Sequence, residues 1–263
     1  MQTYKISIVT VVYNDRKGLE KTIESVMAQT YTDVEYIVID GASSDGTVEV
    51  IKKYQDHINY WVSEKDSGIY DAMNKGSNVA TGDFINFMNA GDLFLNENSL
   101  KSFILQMDDD SKTYFGRAQT KDSSISWVYP SYKFNKNNIN IWLNSALPNH
   151  QAMFFPKKFY KNFKYDFKYK IGSDSDYKFQ AQKECGFHFI DEIVAVFELG
   201  GISTHMQSWK VTKQILHDSW HISLKHRGLF FAIVRQFKII TKYILSSLLG
   251  SSNLKQLLKR WRN

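Results

Sequence analysis

Three short stretches carry the residue types that chemistry needs. Val11-Val12-Tyr13-Asn14 closes one apolar run, and Asp40 closes the next, Tyr36-Ile37-Val38-Ile39. An aromatic face beside a carboxylate or amide suits a nucleotide, because the ring stacks on the base and the polar group bonds its edge. Taken singly, Tyr13 reads equally as a strand-end aromatic and Asp40 as a helix cap. Asn89-Ala90-Gly91-Asp92 closes a third run, Phe84-Ile85-Asn86-Phe87-Met88. Carboxylate and amide oxygens there suit a hard cation such as Mg2+ or Mn2+, and the same four residues also suit a tight turn. Asp174-Ser175-Asp176 follows Ile171-Gly172-Ser173. It offers carboxylates that can take a proton from a hydroxyl or cap a helix.

The elements that must position these groups are legible over the first 92 residues. Leu19, Ile23, Val26 and Met27 recur at helical spacing between the first two runs, predicting a crossover helix over 17–28. Parallel strands joined through such a helix form a right-handed βαβ unit. A short helix is expected over 47–54, capped by Ser or Asp of Ser43-Ser44-Asp45-Gly46. A strand is expected over 60–63 and a helix over 68–80. Strands are also expected over 113–120, 124–128, 153–155 and 187–198, with 135–140 a polar connection and Asp108-Asp109-Asp110 a solvated loop. In an open α/β sheet ligands bind beyond the carboxyl ends of the strands, which is where all the polar groups of the first half fall.

The order of these pieces resembles the inverting family-2 glycosyltransferases of the GT-A fold, of the type that builds bacterial surface polysaccharide such as capsule or O-antigen. That family opens with an apolar strand ending Tyr-Asn, matched by Tyr13-Asn14. A Ser-x-x-x-Gln-Thr stretch follows, matched by Ser25 to Thr30. Next comes Asp-Asp-Gly-Ser-x-Asp-Gly-Thr, where this chain has Asp40-Gly41-Ala42-Ser43-Ser44-Asp45-Gly46-Thr47, with Gly41 in place of the second acid. The run from Asp66 to Gly76 is similar to the helix that precedes the family's metal strand.

The resemblance implies an α/β, mixed and mostly parallel sheet flanked by helices. It implies nucleotide-sugar binding by Val11, Tyr13, Asn14, Asp40, Asp66, Lys75, Asn89, Ala90 and Gly91, and a Mn2+ or Mg2+ ion held by Asp92 with His205. Asn89 stands where the family's Asp-x-Asp pattern has its first acid. His150 and Gln151 are implied as acceptor contacts, Asp174 as the general base and Asp176 as its catalytic neighbour. The activity implied is transfer of a sugar from a nucleoside diphosphate, UDP foremost, to a lipid-linked or oligosaccharide acceptor. The alternative is a degenerate, non-catalytic nucleotide-binding or scaffold member of the same fold. A dehydrogenase or P-loop enzyme is disfavoured, because neither G-x-G-x-x-G nor a P-loop follows the first strand.

Composition divides the chain near residue 205. The whole carries +6, yet after Asp218 there is no acid and there are nine Lys or Arg, leaving 24 basic against 27 acidic residues before it. The catalytic part is therefore mildly acidic, which argues against a nucleic-acid partner. The expected division is a catalytic domain over 1–205 and a basic helical extension over 206–263. Over 229–249, Arg235, Lys238, Lys242 and Ser246 fall within about 80° of one another on a helix, with Phe230, Phe231, Val234, Phe237, Ile240, Ile244 and Leu248 covering much of the rest. Leu254 to Arg262 repeats the theme. Such helices suit a membrane interface rather than a span, or ordinary packing on the domain. One cysteine, Cys185, excludes an internal disulfide. No secretion signal is evident, so the protein is expected in the cytoplasm, peripheral on the inner face of the membrane.

Overall fold

The computed structural model describes residues 3–121, 126–134, 136–143, 146–198 and 208–249. The apolar runs form β1 (Ile6–Val12), β2 (Val34–Asp40) and β4 (Phe84–Phe87), and β3 is Tyr60–Ser63. These four pair in parallel in the order β3-β2-β1-β4. The sheet continues through β8 (Met153–Pro156), β6 (Thr113–Lys121), β9 (Phe187–Glu198) and β5 (Leu93–Phe94), while β7 (Ser126–Tyr129) pairs with β6. In this second half only β6 and β9 are parallel, so the sheet is mixed, with its parallel pairings concentrated at one end.

Every residue of β1 is buried, as expected of a strand covered on both faces. Ile6 and Ile8 face one core layer, against Leu19, Ile23 and Val26 of α1 (Arg16–Met27) and Val50 and Ile51 of α2 (Thr47–Lys53). Val9 and Val11 face the other, with Ala72 and Met73 of α3 (Ile69–Val79) and Tyr177 of α7 (Ser173–Cys185). Three smaller helices complete the domain: α4 (Ser99–Ile104), α5 (Ile139–Leu143) and α6 (Lys157–Tyr160). Two local expectations change. The cap of α2 is Gly46, at φ 93, while Asp45 takes the Thr47 amide. The described part of the polar connection is a 3-10 turn, Lys136–Asn138, leading into α5.

Two long helices follow, α8 (Trp209–Arg227) and α9 (Leu229–Leu249), turned at Gly228. The expected boundary at 205 and the stretch Leu254 to Arg262 lie outside the described residues. α8 is docked on α7: its buried Asp218 accepts from the Ile171 and Gly172 amides, at 2.8 and 3.1 Å, just before α7 begins. On α9 the buried residues Ala232, Ile239 and Ser246 recur every seven positions, as the inward seam of a helix pair does. On the outward side stand Phe230, Ile233, Phe237, Ile240, Ile244 and Leu248, all exposed. No described helix is long and apolar enough to cross a membrane.

Candidate active site

The loops after β1 and β2 are stitched together. The Asn14 amide donates to Ser43 Oγ at 2.7 Å, and the Ser44 amide donates back to Asn14 Oδ1 at 2.8 Å. Asn14 sits at φ 49 and Ala42 at φ 64. The left-handed region is easy for asparagine and costly for alanine, so the loop is held in shape by its surroundings. The stitch presents the Tyr13 ring, 67% exposed, at the end of the strands. Asp40 is fully buried, and its carboxylate accepts from the Ser43 amide and from the hydroxyls of Ser43 and Ser63. Val11 is buried and offers its carbonyl to the Ala90 amide.

Beyond β4 the chain turns at Asn89-Ala90-Gly91-Asp92, with Gly91 at φ 92. Thr22, a buried hydroxyl on α1, accepts from the Gly91 amide at 3.0 Å and lies 2.9 Å from the Asp92 carbonyl oxygen. Asp92 is buried, and its Oδ2 accepts from Gln151 Nε2 at 2.8 Å. The Asn89 amide oxygen is buried with no hydrogen-bond partner. Among the described residues no three His, Cys, Asp or Glu side chains gather to hold a metal. The Asp92 carboxylate and the orphaned Asn89 oxygen nevertheless form a hard-oxygen pair. That pair fits a divalent cation whose remaining ligands are diphosphate and water. His205 lies outside the described residues.

Residues 148–151 connect this turn to α7. Gln151 holds Asp92, and the Pro148 carbonyl accepts from Lys178 Nζ at 3.3 Å. Lys178, its side chain 7% exposed, pairs at 2.8 Å with Asp174 one turn earlier on the same helix. Burial alone would raise the Asp174 carboxyl, but the Lys178 ammonium, with smaller help from His150 and the Ser175 amide, outweighs it and holds the group below the usual range. His150 stacks on Phe87, with ring centroids 5.3 Å apart, and its Nε2 meets the Tyr165 hydroxyl at 2.7 Å. Burial, helped by Lys178, lowers its pKa to about 3, so it is neutral at ordinary pH.

The remaining expected residues part company. Lys75 pairs with Glu64 at 2.7 Å and also donates to the Lys65 carbonyl. Asp176 is buried and faces α8, where Lys225 and His226 meet it at 2.9 and 2.7 Å. The helix thus directs its two acids to different neighbours. Thr22, Tyr165 and Lys178 were not anticipated from sequence. Lys178 alone left a signal there, its spacing of four from Asp174.

The Glycosyl transferase family 2 profile matches residues 7–173. An uncharacterized glycosyltransferase of Mycobacterium tuberculosis is 28% identical over 206 residues, covering 77% of this chain and 78% of its own. The S. aureus TarS crystal structure superposes over 94% of this chain with a TM-score of 0.64 at 15% identity, though this chain spans 44% of TarS. A Pyrobaculum calidifontis mannosyltransferase, solved with GDP-Man and Mn2+, superposes over 95% of this chain and 71% of its own, with a TM-score of 0.60 at 16% identity. At these identities the two structures establish a shared GT-A-like fold.

Proposed function

This chain belongs to glycosyl transferase family 2 and is a transferase, and on that premise we propose an inverting transfer. One sugar moves from a nucleoside diphosphate donor, UDP-linked, to a lipid-linked or oligosaccharide acceptor in surface polysaccharide assembly. The observation that carries this reading is the 148–151 bridge, which ties Asp174 at one end and Asp92 at the other to a single frame. The acceptor hydroxyl oxygen attacks the anomeric carbon as the bond from that carbon to the diphosphate oxygen breaks. The hydroxyl proton passes to the Asp174 carboxylate, and the nucleoside diphosphate leaves. Direct displacement inverts the carbon and needs one carboxylate as base. Asp176, clamped against α8, is unsuited to serve as a second.

Asp92 and Asn89 would hold a divalent cation, which when bound neutralises charge on the departing diphosphate. The neighbours solved with UDP-GlcNAc and with GDP-Man and Mn2+ support a nucleotide-sugar donor and a metal. We assign residues 1–205 to transfer and 206–263 to an extension in which α8 braces α7 and α9 lies at a membrane surface. The exposed aromatic and aliphatic face of α9, with exposed Lys238 on its flank, supports an interfacial helix on the inner leaflet.

The test is a titration of UDP, GDP, CDP and dTDP into the purified protein, with and without Mn2+, followed by thermal unfolding. Ligands that bind only the folded state raise the melting temperature. A Mn2+-dependent rise with UDP is expected. A cooperative melt that no nucleotide moves would overturn the proposal in favour of a scaffold.

A further inference from the structure

We infer that Asp66, not Asp40, reads the base of the donor nucleotide, and that residue 41 is glycine so that it can. The inference rests on the nucleotide-donor reading of this site. Asp40 has no capacity left: it is fully buried, with one oxygen taken by Ser43 Oγ and the other by the Ser43 amide and Ser63 Oγ. Its three donors fix the turn after β2, and drawing it toward a ligand would break that turn.

Asp66 lies in the loop between β3 and α3, yet its carboxylate reaches the end of β2. A Cβ on Gly41 would stand 2.7 Å from Asp66 Oδ2 and 3.3 Å from Cδ2 of the Tyr13 ring. The space where a side chain at position 41 would start is therefore occupied by this carboxylate, next to an exposed aromatic ring. One oxygen is fixed by the Gly68 amide, at 2.9 Å, and the other, Oδ2, takes no hydrogen bond from a described residue. An oriented carboxylate oxygen beside an open ring accepts an N–H from the edge of a base stacked on that ring. It matches bases carrying a ring N–H on that edge, the N3–H of uracil or the N1–H of guanine. Cytosine presents a lone pair at N3, which the carboxylate repels.

The experiment measures UDP, GDP and CDP affinity by calorimetry with Mn2+ present for the full chain and for Asp66→Ala, Asp66→Asn, Gly41→Ala and the double variant Gly41→Ala with Asp66→Ala. Each variant's melting curve is recorded as a folding control. Asp66→Ala is expected to weaken UDP or GDP, whichever the wild type prefers, by an order of magnitude or more, and to abolish the preference over CDP. Asp66→Asn keeps an oxygen acceptor and should retain part of it. The Gly41→Ala methyl meets the movable end of the Asp66 side chain first, at 2.7 Å, and the edge of the Tyr13 ring at 3.3 Å. The variant should fold, displace that carboxylate and weaken the same nucleotide. Because both changes act on one group, the double variant should bind no worse than Asp66→Ala. Unchanged affinity and preference in Asp66→Ala, or losses that add in the double variant, overturn the inference while the donor reading stands. A wild type that binds none of the three nucleotides overturns both.

Discussion

The parallel half of the sheet and α7 both carry carboxylates, but hold them in opposite ways. In the parallel half the described donors to Asp40 and Asp66 are neutral: serine hydroxyls and backbone amides. On α7 each aspartate faces a cation, Asp174 with Lys178 and Asp176 with Lys225. Neutral donors orient a carboxylate and leave its charge available, which suits groups that must meet a base edge or a cation. A lysine partner lowers the carboxyl pKa and keeps the group ionised, which suits a base at work in mildly acidic conditions and also suits a structural clamp. The difference between the two α7 acids is then one of access. Asp174 keeps 31% of its side chain exposed and Asp176 keeps 1%.

The comparison breaks most easily at Asp174. Asp174→Asn should lower turnover by roughly 10²–10⁴-fold, the range general-base catalysis contributes, while the nucleotide-induced rise in melting temperature persists. Turnover within a few-fold of wild type would remove Asp174 as the base. Replacing its partner is a finer cut. Burial favours the protonated acid, and the Lys178 charge is the largest of the contributions that overcome it. In Lys178→Met the acidic limb of kcat/KM should therefore move to higher pH. The rate on the plateau should change less, and Lys178→Arg should restore the limb. A pH profile that does not move would make Lys178 a packing residue only.

The clamp at Asp176 sharpens the comparison through stability. Burial raises this carboxyl, but the His226 and Lys225 contacts outweigh it, and the net shift is downward. A carboxyl lowered in the folded state stabilises it fully above the unfolded value of about 4. That contribution is lost as pH falls through the lower folded value. Asp176→Asn should cost on the order of 2 kcal/mol near neutrality, below the range for fully buried pairs because Lys225 is 44% exposed. Its urea melts should also lose part of the acid-range slope of the wild type. Turnover per folded molecule should fall far less than in Asp174→Asn. Equal loss in both variants would mean that the two acids work as one unit.

The parallel half was legible because its strands are buried on both faces and so read as unbroken apolar runs, each stopping at a polar group. The limits expected for β3 and β9 and the span of α9 agree with the structure. α7 has no such signature. Its buried residues include Ser173, Asp176 and Lys178, so no apolar stripe repeats along it, and only the family resemblance placed a helix there. The pair of residues in β5 is too short for any periodicity. Within the site, Asp40 stood out because it ends a strand, but what fixes its role is Ser63, 23 residues away on the neighbouring strand. The resemblance named Asp66 as a donor contact, but its place against Gly41 and the Tyr13 ring appeared only with the fold. Sequence spacing shows which groups end strands, whereas burial and partner choice decide which of them stay available.

The smallest expected effect concerns α9. Its inward seam of Ala232, Ile239 and Ser246 leaves the apolar row of Phe230, Phe237 and Ile244 on the outer side, so exposed Lys238 lies on a flank between the two. In that arrangement the apolar row enters the lipid interface, and the flank charge acts on headgroups through a screened field. Each basic residue near an anionic surface adds about 1 kcal/mol. Lys238→Gln should therefore weaken binding to vesicles containing anionic lipid about fivefold at low salt and hardly at all to neutral vesicles. Transfer to a soluble acceptor should be unchanged, because no proposed site residue depends on Lys238. Vesicle binding that ignores both lipid charge and salt would leave the outward face of α9 to another protein, and would confine the basic tail to solubility.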